Sequence, residues 1–144
     1  MHILFLCTGN SCRSQMAEGW ARHLAGERFT VASAGIEAHG KNPRALQVMS
    51  DAGVDISKQA SKVVTTEMLQ VADVIVTVCG HADEHCPVVP TNALKLHWPL
   101  SDPAKAKGTE EQIMSQFRAT RDEISERVVD LLQDLLNRSR KVGL

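Results

Sequence analysis

Residues 2–14 of this chain read HILFLCTGNSCRS and decide the fold, because they join a strand to a helix through a short loop. The apolar run over 2–6 predicts a buried strand, and TGN at 8–10, directly after Cys7, predicts a turn. A helix with one apolar face is expected from about Ser14. A strand that leads directly into a helix is typical of proteins in which helices cover a parallel sheet.

Strands and helices continue to alternate along the rest of the chain. The segment 72–78, ADVIVTV, is the strongest signal for a buried strand, and it runs directly into Cys79. Further strands are predicted over 29–34 and 93–98, and helices over 43–53, over 66–71 and from a capping box that opens at Thr109. We therefore predict a single domain, 1–144, with a three-layer α/β/α architecture around a central four-stranded parallel sheet.

Composition and charge exclude several classes of function. The 16 basic and 17 acidic residues give a net charge of −1, and aromatic residues make up 3% of the chain with no tyrosine, so we expect no nucleic-acid binding. No apolar run approaches the roughly 20 residues of a membrane span, and the short apolar start lacks the positive region of a signal peptide. We therefore expect a cytoplasmic protein, and we take it to be a monomer.

The loop after the first predicted strand has a specific pattern for binding a tetrahedral oxyanion. Its backbone N–H groups can surround the anion, with Gly9 relieving steric strain, and the helix N-terminus adds partial positive charge. Arg13 can donate two hydrogen bonds to such an anion. The same positive field favours the thiolate of Cys7, and the Ser14 hydroxyl can donate to that sulfur. The expected oxyanion-binding residues are Thr8, Gly9, Asn10, Ser11, Cys12, Arg13 and Ser14.

These features make Cys7 a candidate nucleophile for attack at phosphorus or a phosphate-like centre. The alternative is a buried cysteine at a strand end with Arg13 on a helix surface. Cys12 lies in the same loop, but nothing in the spacing assigns it a chemical step, so we expect a packing role. Asp102 lies in an Asp-Pro pair, which predicts an extended segment, and its carboxylic acid can protonate a leaving oxygen.

A second cysteine cluster reads CGHADEHCP over residues 79–87. Because Cys7 and Cys79 each follow a predicted strand of one parallel sheet, both are expected at its carboxyl edge. Three interpretations of the cluster stay open: a redox pair of Cys79 with Cys86, a solvated polar loop, or a zinc site formed by Cys79, His81, His85 and Cys86. Zinc binding is a weaker interpretation than the redox pair, because the four ligands would fall within eight residues. We therefore expect no bound metal.

Four stretches of the sequence together resemble the thioredoxin-coupled arsenate reductases, which share the fold of the low-molecular-weight tyrosine phosphatases. They are CTGNSCRSQMAEGW at 7–20, SAGIEAHG at 33–40, VTVCG with HADEHCP at 76–87, and HWPLSDPA at 97–104. The resemblance covers nearly the whole chain, and its most specific part is the set of three cysteines, Cys7, Cys79 and Cys86. It implies an arsenate reductase built on the phosphatase fold.

The resemblance also implies a role for individual residues. Cys7 would attack arsenate held by the loop and Arg13, while Asp102 would protonate the departing hydroxide. Cys79 would then attack Cys7 and release arsenite, and Cys86 would take over the disulfide for reduction by thioredoxin, which is reducing enough for this exchange. Glutaredoxin with glutathione stays open as the reductant. Phosphate and sulfate are expected to compete with arsenate.

Several members of the family bind a potassium ion near the loop, through positions that match Asn10, Glu18 and Ser33 together with an aspartate. Lys62 stands at the aspartate position in this chain, and we expect its ammonium group to replace the ion and to neutralise Glu18. A solvated surface lysine is the alternative, so potassium binding stays open. No tightly bound cofactor is expected. The resemblance also implies that Asn10 and Ser14 orient the loop and the Cys7 thiolate.

Two other functions remain as alternatives. A low-molecular-weight tyrosine phosphatase would have the same loop and Asp-Pro pair, but such enzymes usually place aromatic residues after that pair, where this chain has alanine and lysine at 104–106. Weak phosphatase side activity is nevertheless expected, because the loop cannot fully distinguish phosphate from arsenate. A metal-binding module would leave Arg13 and Asp102 without a role.

Overall fold

The computed structural model describes residues 1–78 and 92–143, with side chains up to residue 138. Within these ranges the strands are β1 (His2–Cys7), β2 (Thr30–Gly35), β3 (Val74–Thr77) and β4 (Leu94–His97). The helices are α1 (Arg13–Ala25), α2 (Pro43–Asp51), α3 (Thr66–Val71) and α4 (Glu110–Gly143). Two short 3₁₀ helices, Gly26–Arg28 and Pro103–Lys105, were not expected from the sequence.

The four strands form one parallel sheet in the order β2-β1-β3-β4. This sheet and its covering helices confirm the predicted α/β/α architecture. Because all the strands run in the same direction, their carboxyl ends lie along one edge, where Cys7 is paired with Gly35 and Thr77 with His97. The two strands that precede Cys7 and Cys79 in the prediction, β1 and β3, are neighbours at the centre of the sheet.

The core lies around β1 and β3, which are buried on both faces. Double burial explains why their sequences are almost continuously apolar rather than alternating. Helix α1 packs against β1, β2 and α4, and α4 packs in turn against α2. The ring centroids of Phe5 and Trp98 lie 5.8 Å apart, so the residue that directly follows β4 completes the core close to the carboxyl edge.

Hydrogen bonds confirm the helix-start signals in the sequence. The Asn42 side chain accepts from the Arg44 N–H at 2.9 Å, with Pro43 in the first position of α2. Thr109 and Gln112 form the expected capping box, since the side chain of each accepts from the backbone N–H of the other, at 3.2 and 2.8 Å. Although α4 is 34 residues long, neither it nor any other helix in the described part of the chain is apolar enough to cross a membrane.

The strand predicted over 72–78 is shorter in the structure, because residues 72 and 73 connect α3 to β3 and Val78 lies beyond the end of β3. The Asp73 carboxylate accepts a 2.7 Å hydrogen bond from the His2 N–H at the start of β1. The Asp73 N–H donates to the His2 carbonyl at 2.8 Å. This local pairing fixes where β3 enters the sheet and leaves its carboxyl end beside that of β1.

Candidate active site

The loop of residues 8–12 connects β1 to α1 at the carboxyl edge of the sheet. The neighbouring segment, 36–42, donates backbone hydrogen bonds to carbonyl oxygens at the strand end and in the loop. Four such bonds, of 2.9–3.3 Å, run from Ile36 to Cys7, from Glu37 to Thr8, from His39 to Gly9 and from Asn42 to Ser11. Because these carbonyl groups are engaged, the loop has N–H groups rather than carbonyl groups to offer a ligand, which suits an anion.

Asn10 holds the bend of this loop. Its φ of 49° lies in the left-handed region, and it is the only residue other than glycine with a positive φ in the ranges that the structure describes. Its side chain is fully buried. Its Oδ1 accepts from the Lys62 N–H at 2.9 Å, and its Nδ2 donates to the hydroxyls of Ser14 and Ser33, each at 2.9 Å. These bonds stabilise a backbone conformation that asparagine tolerates better than most residues.

Two glutamines that were not predicted support Asn10. Gln15 is fully buried, and its Nε2 donates to the carbonyl oxygens of Asn10 and Ala60, at 3.1 and 3.0 Å. The Nε2 of Gln59 donates to the Oε1 of Gln15 at 2.9 Å. A glutamine in the first turn of a helix gives no sign of burial in the sequence, because the partners that bury it here lie 44 and 45 positions away.

Arg13, the first residue of α1, is 7% exposed and is held by the loop after β4. Its Nη1 donates to the Leu100 carbonyl at 2.9 Å, and its Nη2 lies 3.6 Å from Oδ2 of Asp102. Its Nε is buried and has no hydrogen-bond partner among the described residues. Buried donors are rarely left unsatisfied in folded proteins, so this nitrogen indicates a position for an acceptor such as an oxyanion.

Asp102 reaches the site from the same loop. As expected for a residue before proline, its backbone is extended, with φ −82° and ψ 108°. Its Oδ1 accepts a 3.0 Å hydrogen bond from the Ala104 N–H, while Oδ2 faces Arg13. About a quarter of the side chain is exposed, at 24%. The carboxyl group is therefore fixed beside the guanidinium and still accessible for proton exchange.

A cleft of about 650 Å³ brings most of the predicted residues together. It is lined by Cys7, Thr8, Gly9, Ser11, Cys12, Arg13 and Asp102, together with His39, Ala104 and Lys105. Asn10 and Ser14, expected among the oxyanion-binding residues, have fully buried side chains within the scaffold of the loop. The left-handed backbone falls on Asn10 and not on Gly9. A Cβ at position 9 would lie 2.4 Å from Nδ1 of His39, so that side chain would have to move.

Cys12 lies in this loop as a buried, protonated thiol. Burial raises its pKa to about 12, although a hydrogen bond from the Ser11 hydroxyl acts in the opposite direction. Below that pH the group is neutral and a poor nucleophile.

We expect Cys12→Ser to change the turnover rate by less than about threefold, or ~0.6 kcal/mol. Iodoacetamide at neutral pH, with sites mapped by peptide mass, should label Cys7 and not Cys12; labelling of Cys12 would contradict its assignment as a packing residue.

Glu18 is buried behind the loop, 2% exposed, with both carboxylate oxygens engaged. Its Oε1 accepts from the Ser33 hydroxyl at 2.6 Å, and its Oε2 accepts from Nε of Arg22 at 2.7 Å. Lys62 lines the same cavity as Glu18 and Arg22, and its backbone N–H contacts Asn10. The ion pair described for Glu18 is made by Arg22, so neutralisation by Lys62 stays a prediction.

The second cysteine cluster, 79–87, lies outside the described residues, and with it Cys79 and Cys86. The redox pair, the zinc site and the polar loop therefore remain predictions. The strand that precedes the cluster is described, and it lies beside the strand that ends at Cys7.

Comparisons with known proteins agree with this geometry. Residues 2–141 match the model of the low molecular weight phosphotyrosine protein phosphatases. An arsenate reductase of Halalkalibacterium halodurans is 55% identical over 126 residues, which are 88% of this chain and 91% of the relative. A solved arsenate reductase in the phosphate-binding state is 32% identical with a TM-score of 0.76, over 92% of this chain and 97% of the other. The thioredoxin-dependent arsenate reductase of Corynebacterium glutamicum is 29% identical with a TM-score of 0.73, over 95% of this chain and 62% of the other.

A parallel sheet with a cysteine, an arginine and a strand-to-helix loop at its carboxyl edge is the arrangement of a phosphatase-like protein. The chain belongs to the low molecular weight phosphotyrosine protein phosphatase family. Within that family, the relatives described above carry the name arsenate reductase, and the resemblance predicted from the sequence is confirmed.

Proposed function

We propose that this protein is an arsenate reductase that converts arsenate to arsenite in the cytoplasm and so contributes to arsenic detoxification. The observation that carries the proposal is the cleft in which Cys7, Arg13 and Asp102 meet at the loop of residues 8–12. The 55% identical relative named arsenate reductase supports the substrate. The thioredoxin-dependent relative from C. glutamicum supports thioredoxin as the reductant.

The first step uses residues of the cleft. The loop N–H groups and the Arg13 guanidinium bind the arsenate oxygens, with Nε as the donor that lacks a partner among the described residues. The Cys7 thiolate attacks arsenic and forms an As–S bond, while a hydroxide takes a proton from Asp102 and leaves as water. Donors that are already fixed in place stabilise the charge that develops on the oxyanion.

The second stage is a disulfide relay. The Cys79 thiolate attacks the sulfur of Cys7, an S–S bond forms, and the electron pair of the As–S bond passes to arsenic, which leaves in the +3 state as arsenite. Cys86 then attacks Cys79, and Cys7 leaves as a thiolate. A thioredoxin dithiol reduces the Cys79–Cys86 disulfide by the same exchange chemistry and becomes oxidised itself.

A low-molecular-weight tyrosine phosphatase is the second candidate, favoured by the family model that spans 2–141. Beyond Asp102 and Pro103, however, the cleft is lined by Ala104 and Lys105, which offer no aromatic surface to a phosphotyrosine ring. We therefore propose phosphate ester cleavage as a weak side activity, with phosphate and sulfate as competing anions.

A single turnover without any reductant tests this proposal. Fully reduced protein is mixed with arsenate, the remaining thiols are blocked, and disulfides are mapped by peptide mass. We expect one arsenite per protein molecule and an arsenate-dependent disulfide between Cys79 and Cys86. Four blocked thiols and no disulfide, with phosphate ester cleavage intact, would overturn the reductase assignment in favour of the phosphatase.

Two controls sharpen the experiment. Cys86→Ser stops the relay one step earlier, so the bond trapped in that variant should join Cys7 to Cys79. Sulfate in place of arsenate occupies the loop without accepting electrons and should leave all thiols reduced. Adding thioredoxin with its reductase to the oxidised protein, in parallel with glutaredoxin and glutathione, then identifies the reductant.

We propose that the protein works as a monomer without a tightly bound cofactor and that Lys62 stands in place of a cation. Lys62 lines the same cavity as Glu18, and this position supports its role as a replacement for the cation. We expect equal arsenate turnover in potassium and sodium salts at the same ionic strength. A steep rise in turnover with potassium would contradict the role given to Lys62.

A further inference from the structure

The carbonyl groups of the loop 8–12 differ in how they are held. Four of them accept from backbone N–H groups of the segment 36–42 or of α1, those of Thr8, Gly9, Ser11 and Cys12. The Asn10 carbonyl accepts instead from a side chain, since Nε2 of Gln15 donates to it at 3.1 Å. The orientation of the peptide group that joins Asn10 to Ser11 therefore depends on a side chain that a single substitution removes.

Hydrogen-bond chemistry fixes which atom of Gln15 faces the loop. Backbone carbonyl groups only accept, so the Gln15 atom 3.1 Å from the Asn10 oxygen and 3.0 Å from the Ala60 oxygen is the amide nitrogen. Its Oε1 then faces Gln59, whose Nε2 donates to it at 2.9 Å. Gln59 also donates to the backbone carbonyl of Gln15, at 3.0 Å. The Gln15 amide group is thus held from both sides, with its nitrogen toward the loop.

The peptide group between Asn10 and Ser11 has its carbonyl and its N–H on opposite sides. The described ranges contain no cis peptide bond, and in a trans peptide the N–H points away from the C=O. The carbonyl faces Gln15, which is fully buried, whereas Ser11 lines the cleft. By holding the oxygen on the buried side, Gln15 directs the Ser11 N–H to the side where the proposed function places the oxyanion.

This peptide group follows the residue of the loop whose backbone is left-handed. Asn10 has a φ of 49°, a conformation that residues other than glycine adopt at a cost. Gln15 donates to both the carbonyl and Oδ1 of Asn10, each at 3.1 Å, and so ties its backbone to its side chain. A buried carbonyl that loses its donor is unfavourable. Without Gln15 we therefore expect the loop to relax toward conformations in which the Asn10 oxygen reaches water.

We propose that Gln15 is a positioning residue for oxyanion binding, an inference that rests on the proposed function of the loop. Because Gln15 is fully buried, it acts on the anion through the Ser11 N–H. It holds the loop in the anion-binding conformation before the anion arrives. Without it, a fraction of the molecules keeps this conformation, and the apparent Kd rises by the inverse of that fraction. A bound anion restores the loop, so the chemical step in the occupied site stays the same.

Calorimetric titration of the reduced protein with inorganic phosphate tests this role without turnover. Gln15→Met has a side chain of similar length that cannot donate a hydrogen bond. We expect it to raise the Kd of phosphate by about tenfold, which is the effect of losing one hydrogen bond. In arsenate kinetics KM should rise by a similar factor while kcat changes by less than about twofold, because the loss falls on binding and not on the chemical step.

Two controls separate positioning from stability. Ile124→Val shortens a fully buried side chain of α4, so it should lower the unfolding temperature and leave the affinity for phosphate unchanged. Gln47→Met makes the same substitution at an exposed glutamine of α2, which donates to Asp51 at 2.8 Å, and should leave both properties unchanged.

A purely structural role for Gln15 gives a different result. Loss of folded protein lowers kcat and the number of phosphate sites per chain, but the sites that remain keep the Kd of the unsubstituted protein. That result in Gln15→Met would overturn the inference.

Exchange of amide protons in the unsubstituted protein, followed by nuclear magnetic resonance, decides the question if Gln15→Met does not fold. We expect the side-chain amide protons of Gln15 to exchange slowly with solvent before phosphate is added, and the Ser11 amide resonance to shift when it is added. Gln15 protons that exchange as fast as those of the exposed Gln47, or a Ser11 resonance that phosphate leaves unchanged, would overturn the positioning role.

The proposed function fails separately, since it requires the Cys79–Cys86 disulfide in the unsubstituted protein after treatment with arsenate. A tenfold loss of phosphate affinity in Gln15→Met without that disulfide would support the positioning role and overturn the reductase. The disulfide together with an unchanged phosphate affinity would support the reductase and overturn the positioning role.

Discussion

Cys7→Ser is expected to abolish both arsenate reduction and phosphate ester cleavage, with each rate falling by at least about 10⁴-fold. A serine hydroxyl is protonated at neutral pH, whereas the N–H groups of the loop and the start of α1 favour a thiolate at this position. In the proposed relay the same sulfur also forms the first disulfide, so we expect no other route to arsenite in the variant. Single-turnover arsenite release and hydrolysis of para-nitrophenyl phosphate measure the two activities.

Cys12→Ser is the matched control, because it makes the same chemical change in the same loop at a thiol that burial keeps protonated. Circular dichroism and the unfolding temperature are measured to check that both variants fold. Cys79→Ser gives the complementary result: it should lose multiple-turnover reduction and keep ester cleavage, since a phosphatase needs no second thiol. Ester cleavage that survives in Cys7→Ser would mean that another residue is the nucleophile.

The fold could be predicted because its signals are local. The apolar run of β1 and the one over 72–78 indicate doubly buried strands without any knowledge of their partners. The caps at Asn42 and Thr109 each depend on a residue two or three positions away. The order β2-β1-β3-β4 was not predicted, because it depends on which helices cover which face and no local pattern contains that information.

The candidate site was predictable where its chemistry is contiguous in the sequence, as in the loop from Cys7 to Arg13. The residues that hold this loop from outside were missed, because their partners are far away along the chain. Gly35 is the clearest case: a Cβ there would lie 2.7 Å from both the Asn10 nitrogen and the Thr8 oxygen. Only glycine lets the end of β2 approach the loop so closely, and no turn pattern reveals that need.

Arg13→Lys is expected to lower kcat/KM for arsenate by about 10²–10³-fold, although the charge is preserved. Each nitrogen of the guanidinium has a different environment. Nη1 donates to the Leu100 carbonyl, Nη2 lies beside Asp102, and Nε has no hydrogen-bond partner among the described residues. The lysine ammonium group is compact and sits on a flexible side chain. It can donate to the Leu100 carbonyl or to the oxyanion, but it cannot reproduce the planar arrangement of donors in a guanidinium group. Steady-state kinetics with arsenate, and competition by phosphate, measure the loss.

Arg44→Lys provides the matched control for the same substitution. Arg44 also makes a two-pronged contact, through Nε and Nη2 to Glu110 at 3.0 and 2.7 Å, but both side chains are exposed and neither lines the cleft. We expect its kinetics to match those of the unsubstituted protein. In Arg13→Lys the inhibition constant of phosphate should rise in parallel with the fall in kcat/KM, because arsenate and phosphate both need the planar guanidinium group as a donor. Normal phosphate affinity in that variant would mean that the buried Nε has no part in binding the oxyanion.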